Sequence, residues 1–134
     1  MQTNPYQTYR QLQVETASPA QLVVMMYDGA LKAVKQAAAA LQRRDLHQAN
    51  SGLLQAQRIV LALQDAVDGS AGELAAQLDS LYDYLYHNLV QANIRKDSES
   101  LEVVSGILET LRSAWLESAR QPSPARPAAT SAWR

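Results

Sequence analysis

The residues that could do chemistry in this chain are few, and their spacing builds no recognisable catalytic site. Four-helix proteins hold di-iron centres with Glu-x-x-His pairs, but Arg44 and Tyr84 stand three positions before His47 and His87, the two histidines. Neither histidine is followed by the nearby lysine and glycine of phosphotransfer domains. The chain has no Cys, which excludes a thiol nucleophile and a thiolate metal site. The sequence therefore predicts no enzyme, no metal site and no cofactor.

Composition and charge narrow the class of protein further. The 134 residues are 47% hydrophobic and 19% charged, which is typical of one folded domain. Residues 1–119 carry nine Lys or Arg against thirteen Asp or Glu, and residues 120–134 carry three Arg and no acid. Because there is no dense basic patch, we expect no nucleic-acid partner. There is no apolar run of 18 residues and no signal-like N-terminus, so we expect no membrane insertion.

Start signals and apolar periodicity predict four helices. A capping box at Ser18 begins the first helix, which runs to about residue 43, and Asp45 precedes the second. Turns at 68–72 and 96–98 separate the second, third and fourth helices. Their apolar stripes are Leu46, Ala49, Leu53, Ala56, Val60, Leu63 and Val67; Leu74, Leu78, Leu81, Leu85, Leu89 and Ala92; and Leu101, Val104, Leu108, Leu111 and Trp115.

The lengths of these elements predict how they pack. Helices of about 20 residues joined by short turns can only lie side by side in alternating directions. We therefore predict an all-α fold, an antiparallel up-and-down four-helix bundle over residues 18–120. Residues 1–17 are expected to form a short N-terminal segment packed on the bundle. Residues 121–134 hold three of the five prolines, and we expect them to form a disordered Pro/Ala/Arg tail.

The first helix carries more apolar surface than a bundle core requires. Its polar positions span about 120° of the circumference, so roughly 240° is apolar, whereas a core-facing stripe needs little more than about 100°. Residues 22–27 read LVVMMY and are apolar on every face. Either the N-terminal segment, with Tyr6 and Tyr9, folds back over this surface, or a partner helix binds there. Both interpretations hold if the N-terminal segment covers this surface and a partner helix displaces it.

Tyr82, Tyr86 and Asn93 on the third helix leave a similar choice open. The two tyrosines lie about 40° apart on one side of a helix, and they are either core-edge residues or contacts in a groove. Asn93 is either part of an ordinary helix end, before the basic pair Arg95 and Lys96, or it binds the backbone of a ligand through its side-chain amide.

Two separated motifs carry a resemblance to a known family. The first is TASP at 16–19 followed by MYDGAL at 26–31, and the second is LYDY at 81–84 followed by Leu89, Ala92-Asn93 and Asp97. The N-terminal Asn4-Pro5-Tyr6, Tyr9 and Trp115 fit as well. Over residues 4–120 the chain resembles the flagellar export chaperone family FliS.

The resemblance implies a cytosolic four-helix bundle without catalytic activity. Members bind the C-terminal segment of newly made flagellin, prevent its premature polymerisation and deliver it to the export gate protein FlhA. Their N-terminal segment lies over part of the binding surface, and Tyr6 and Tyr9 match that segment by position. On this basis we expect flagellin contacts at Tyr6, Tyr9, Leu22, Met25, Met26, Tyr27, Leu31, Tyr82, Tyr86, Leu89 and Asn93.

Two other classes of protein remain open at this point. One is a bundle that transfers phosphoryl groups through His47 or His87. The other is a structural homodimer that buries the same apolar face. For the chaperone interpretation we expect a monomer or a weak homodimer.

Overall fold

Four long helices make up the part of the chain that the computed structural model describes, residues 18–67 and 69–120. They are α1 (Pro19–Gln42), α2 (Leu46–Asp65), α3 (Glu73–Arg95) and α4 (Ser98–Arg120), with a 3-10 turn at Gly69–Ala71 between α2 and α3. The predicted all-α four-helix bundle is confirmed. The predicted N-terminal segment and Pro/Ala/Arg tail lie outside the described residues. No helix in the described ranges is long and apolar enough to cross a membrane.

Local hydrogen bonds explain why the helices begin where they do. At α1, the hydroxyl of Ser18 accepts the backbone N–H of Gln21 at 3.2 Å, and the Gln21 side chain accepts the Ser18 N–H at 2.8 Å. At α2, a carboxylate oxygen of Asp45 accepts the backbone N–H three residues on, at 3.1 Å. At α4, Asp97 accepts the N–H of Glu99 at 2.8 Å. Each bond satisfies an amide that the helix itself leaves unpaired.

Short connections reverse the chain between neighbouring helices. Arg44, two residues after the end of α1, and Lys96, directly after α3, adopt left-handed backbone angles, with φ of 59° and 54°. After Lys96 the N–H of Asp97 bonds back to the carbonyl of Ala92 at 3.2 Å, which closes the end of α3. Because the connections between consecutive helices are short, each helix runs antiparallel to the one before it.

The four helices form a ring in which α1 and α3 occupy opposite corners. Helix α1 packs mainly on α2 and α4, and α3 packs mainly on the same two neighbours. The predicted stripes supply the core, with Leu53, Leu63, Leu85 and Leu108 fully buried. Leu46 is an exception: it was predicted to lie in the core seam, but it is 54% exposed because it is the first residue of α2, where the bundle ends.

Packing of α1 against two neighbours accounts for much of its apolar surplus. Its buried residues are Ala20, Val23, Val24, Tyr27, Ala30, Ala33, Val34, Ala37 and Ala40. The alanines let the adjacent helices approach closely, so a wide arc of α1 is covered. Leu22, Met25 and Met26 remain partly exposed, and they are the part of the LVVMMY segment that is available to a partner.

Candidate functional site

A chain of buried hydrogen bonds joins three helices at the centre of the bundle. The hydroxyl oxygens of Tyr27 on α1 and Tyr82 on α3 lie 2.5 Å apart, and either group can be the donor. The Trp115 side chain on α4 also bonds to Tyr27, and an indole N–H can only donate. All three side chains are buried. Tyr27 and Tyr82 therefore stabilise the core of the free chain and present no surface to a ligand.

Burial also changes the acidity of the two tyrosines. It raises the pKa of Tyr27 to about 12, against the smaller lowering effect of its hydrogen bonds with Tyr82 and Trp115. It raises the pKa of Tyr82 as well, and the neighbouring Tyr27 adds to that increase. The folded protein thus holds both phenols neutral at pH values where an unfolded chain, with tyrosine pKa near 10, would release their protons.

Alkaline pH should therefore unfold this protein through the tyrosine pair. Because the folded pKa values lie above the unfolded ones, the stabilisation is complete below pH ~10 and is lost as pH rises further. We expect the free energy of unfolding to fall by about 1.4 kcal/mol per pH unit for each tyrosine between about pH 10 and 12. Urea titrations at closely spaced pH values, followed by circular dichroism, measure this slope.

The matched control is the double variant Tyr27→Phe/Tyr82→Phe, which keeps both rings in the core and removes both ionisable hydroxyls. Its stability should depend much less on pH over the same interval. Equal slopes for the variant and the unsubstituted chain would show that other groups cause the alkaline transition.

The other predicted flagellin contacts differ in how accessible they are. Leu89 is fully buried, like Tyr27 and Tyr82. Tyr6 and Tyr9 lie outside the described residues. The remaining six are partly exposed and can touch a partner without any rearrangement of the core: Leu22, Met25, Met26, Leu31, Tyr86 and Asn93.

The ring order prevents these six residues from lining one continuous groove. Leu31 lies beside α4, in the groove described below. Asn93 lies on the flank of α3 that faces α2, where its amide nitrogen donates to the Asn50 side chain at 2.8 Å. Because α1 and α3 are opposite corners, a partner that touches both Leu31 and Asn93 must pass around the bundle.

Asn93 itself is engaged within the protein. Besides the bond to Asn50, its amide oxygen accepts the Lys96 ammonium at 2.5 Å. Both polar atoms of the amide thus fasten the end of α3 to α2 and to the turn before α4. Of the two interpretations that the sequence left open, these bonds favour the helix-end role.

A groove of about 710 Å³ lies between α1 and α4. Its floor is apolar, with Leu31, Val34, Ala38 and Leu101, and Asp28 and Gln42 lie toward its two ends on α1. Lys32 and Lys35 form the lip on α1, and Glu102 and Glu109 form the lip on α4, where Ser98, Ser105 and Gly106 complete the lining.

The sequence interpretation missed the α4 side of this groove. Its signal was present, since Glu102 and Glu109 are seven residues apart and therefore share a helix face. That spacing does not tell which neighbouring helix the acidic face lies beside. The packing of α4 against α1 supplies this information.

Further exposed apolar side chains lie on α2 and near the end of α3. Leu54 and Leu61 are one heptad apart on α2 and are 36% and 43% exposed. Ile94, near the end of α3, is 70% exposed. They lie outside the predicted stripes, and periodicity alone gave no reason to single them out.

The residues considered for other chemistry lie apart on the surface. His47 is on the first turn of α2 and His87 is on α3, and both are exposed. Within residues 18–67 and 69–120, no three His, Asp or Glu side chains come together in a way that could hold a metal ion.

Known proteins are similar in sequence to this chain over most of its length. The sequence model of the family described as flagellar protein FliS matches residues 2–122. The chain is 40% identical over 112 residues to the flagellar secretion chaperone FliS of Bacillus subtilis, covering 84% of each protein. It is 37% identical over 113 residues to the FliS of Salmonella typhimurium, covering 80% of this chain and 84% of the relative. Flagellar secretion chaperone FliSB of Pseudomonas aeruginosa is 35% identical over 104 residues, or 77% of this chain and 82% of that protein.

Proposed function

Since the chain belongs to the FliS family, we propose that it is a cytosolic flagellar export chaperone that binds the C-terminal segment of flagellin. It keeps flagellin from polymerising early and delivers it, as a chaperone–flagellin complex, to the export gate protein FlhA. The relatives named above are flagellar secretion chaperones, and a chaperone of this kind needs no catalytic group. The free chain is a monomer or a weak homodimer.

The observation that carries the proposal is the partly exposed apolar set around the bundle. Met26 and Leu31 on α1 and Tyr86 on α3 pack against the core and keep an accessible edge, and Met25 is partly exposed beside them on α1. Such side chains can cover the apolar face of a helix that would otherwise associate with another copy of itself. Methionine adapts to irregular ligands, and tyrosine offers an apolar ring with a polar tip.

Co-purification tests the proposal directly. We expect the tagged chain to retain full-length flagellin from the same organism and to lose flagellin that lacks its C-terminal segment. Equal retention of both forms would overturn the assignment of the binding segment. Failure to retain full-length flagellin would overturn the function itself.

Two tyrosines on α3 provide a matched pair for locating the contact. Tyr86→Ala should weaken flagellin binding about tenfold while the melting temperature moves little, because partly buried aromatic groups are common binding anchors. Tyr84 is on the same helix and is 49% exposed, but it lies on another face, so Tyr84→Ala should leave binding unchanged. Isothermal calorimetry and thermal unfolding measure both effects, and equal affinities for the two variants would remove Tyr86 from the binding surface.

A further inference from the structure

The groove between α1 and α4 has an apolar floor that the described residues cover only in part. Leu31 and Ala38 are partly exposed there, whereas Val34 and Leu101, which also line it, are buried. Ligand pockets in proteins typically enclose about 300–1,000 Å³, so a groove of about 710 Å³ has room for a large aromatic side chain.

The α4 lip of this groove is acidic. Glu102 and Glu109 are exposed on it. The one salt bridge within residues 18–67 and 69–120 joins Asp28 to Arg112, so those ranges supply no ion-pair partner for either glutamate. Because complementary charge guides association, a basic segment is the ligand that this lip favours.

Residues 121–134 have the chemistry that matches both the floor and the lip. They carry Trp133, Arg126 and Arg134 and no acidic residue. Arginine forms charge-assisted hydrogen bonds with carboxylates, and tryptophan has a large apolar surface to bury. Three prolines favour an extended polyproline conformation, which loses little entropy on binding. All three named side chains lie beyond the span that the family model matches, residues 2–122.

The length of this segment suits a path back along α4. Leu101 lies 19 residues before the end of α4 at Arg120, or about 28 Å along the helix at 1.5 Å per residue. When residues 121–124 reverse the chain, the nine residues 125–133 span about 28 Å at 3.1 Å per residue. A tail folded back in this way brings Trp133 level with Leu101.

We propose that residues 121–134 fold back along α4 and cover the groove of the same molecule. Trp133 packs on Leu31 and Ala38, Arg134 pairs with Glu102, and Arg126 adds positive charge along the same lip. The lysines of the α1 lip repel the tail and keep it on the α4 side. Because the tail is joined to α4, its effective concentration at the groove is high and modest contacts suffice.

This inference goes beyond the proposed function, because the occupant of the groove is part of the chain itself. It also refines the expectation of a disordered tail. The proline content argues against regular secondary structure in residues 121–134, and an extended segment can bind without forming any.

Trp133 itself reports whether the tail is docked. Trp115→Phe leaves Trp133 as the only tryptophan in the chain, and circular dichroism checks that this variant folds. We expect acrylamide to quench Trp133 about threefold less in the full chain than in the free peptide 121–134, because a packed indole ring is shielded from solvent. Equal quenching in the chain and the peptide would overturn the proposal.

Charge variants of the two lips, made in the Trp115→Phe background, test where the tail docks. Glu102→Lys/Glu109→Lys makes both lips basic, so quenching of Trp133 should rise to nearly the level of the free peptide. The matched control, Lys32→Glu/Lys35→Glu, makes both lips acidic and should leave Trp133 at least as well shielded. Equal quenching in the two variants would overturn the groove as the docking site.

A second measurement keeps Trp115 in the core and does not depend on the stability of the phenylalanine variant. In the isotope-labelled full chain, Trp133→Ser should shift the amide resonances of Leu31 and Gly106, which line the groove, because the ring current of the indole is lost. Gly52 lies against α1 on α2, and its amide is the matched control that should not shift. Unchanged resonances at Leu31 and Gly106 would overturn the proposal.

Dilution distinguishes docking within one molecule from docking on a second copy. Quenching of Trp133 should not change with protein concentration, because the tail and the groove belong to the same chain. Loss of shielding on dilution would assign the tail to the groove of another copy and overturn the proposal. None of these measurements contains flagellin, so this inference and the proposed function stand or fail separately.

Discussion

Trp115→Ala should lower the free energy of unfolding by about 3–5 kcal/mol, which is typical of replacing a buried tryptophan with alanine. Trp115 is 2% exposed and belongs to the core cluster, near the end of α4. Its removal leaves a cavity and also deprives the Tyr27 oxygen of a hydrogen-bond donor. The free energy of unfolding of a small domain is about 5–15 kcal/mol in total, so the variant should be close to unfolding. Urea denaturation followed by circular dichroism measures the loss.

Two further substitutions divide this loss into its parts. Trp115→Phe keeps most of the ring volume and removes the indole N–H, so it should cost less than the alanine variant. Val103→Ala truncates an apolar side chain on the same helix that is 45% exposed, and its effect should stay within about 0.5 kcal/mol. A loss from Val103→Ala as large as that from Trp115→Ala would contradict the assignment of Trp115 to the core.

Gly52→Leu should destabilise the bundle by about 3 kcal/mol through overpacking. A Cβ atom at Gly52 would lie 3.0 Å from the Ala33 carbonyl oxygen, 3.1 Å from the Ala37 Cβ and 3.2 Å from the Ala37 nitrogen. Two of these atoms belong to the backbone of α1 and cannot move aside without displacing the helix. Among the glycines of the described chain, Gly52 therefore leaves the least room for a side chain, because α1 lies directly against it. Thermal and urea unfolding measure the effect.

Gly106→Leu is the matched control, because it makes the same substitution inside another helix. A Cβ atom at Gly106 would meet no atom within 4 Å, and leucine is a better helix former than glycine by about 0.5–1 kcal/mol. The Gly106 variant should therefore be slightly stabilised, whereas the Gly52 variant is destabilised. Losses of equal size at both positions would mean that helix packing at Gly52 is looser than the structure has it.

Much of the fold could be predicted because helix boundaries depend on neighbouring residues. Ser18, Asp45 and Asp97 cap helices through bonds to amides two or three positions on, and such contacts are visible in sequence spacing. Apolar periodicity likewise identified most of the buried leucines. The candidate site was less predictable, because Tyr27, Tyr82 and Leu89 have the residue types of groove contacts but are fully buried.

The four helices, most of the core stripe and the family likeness could be predicted because each depends on residue type and local spacing. Which flanks of the helices meet depends instead on how the helices pack. The tertiary structure placed α1 and α3 at opposite corners, joined Tyr27 to Tyr82 through the core and brought Lys32 and Glu109 to opposite lips of one groove. These pairs are separated by more than 50 positions, and their proximity depends on the order and rotation of the packed helices, which no local spacing specifies.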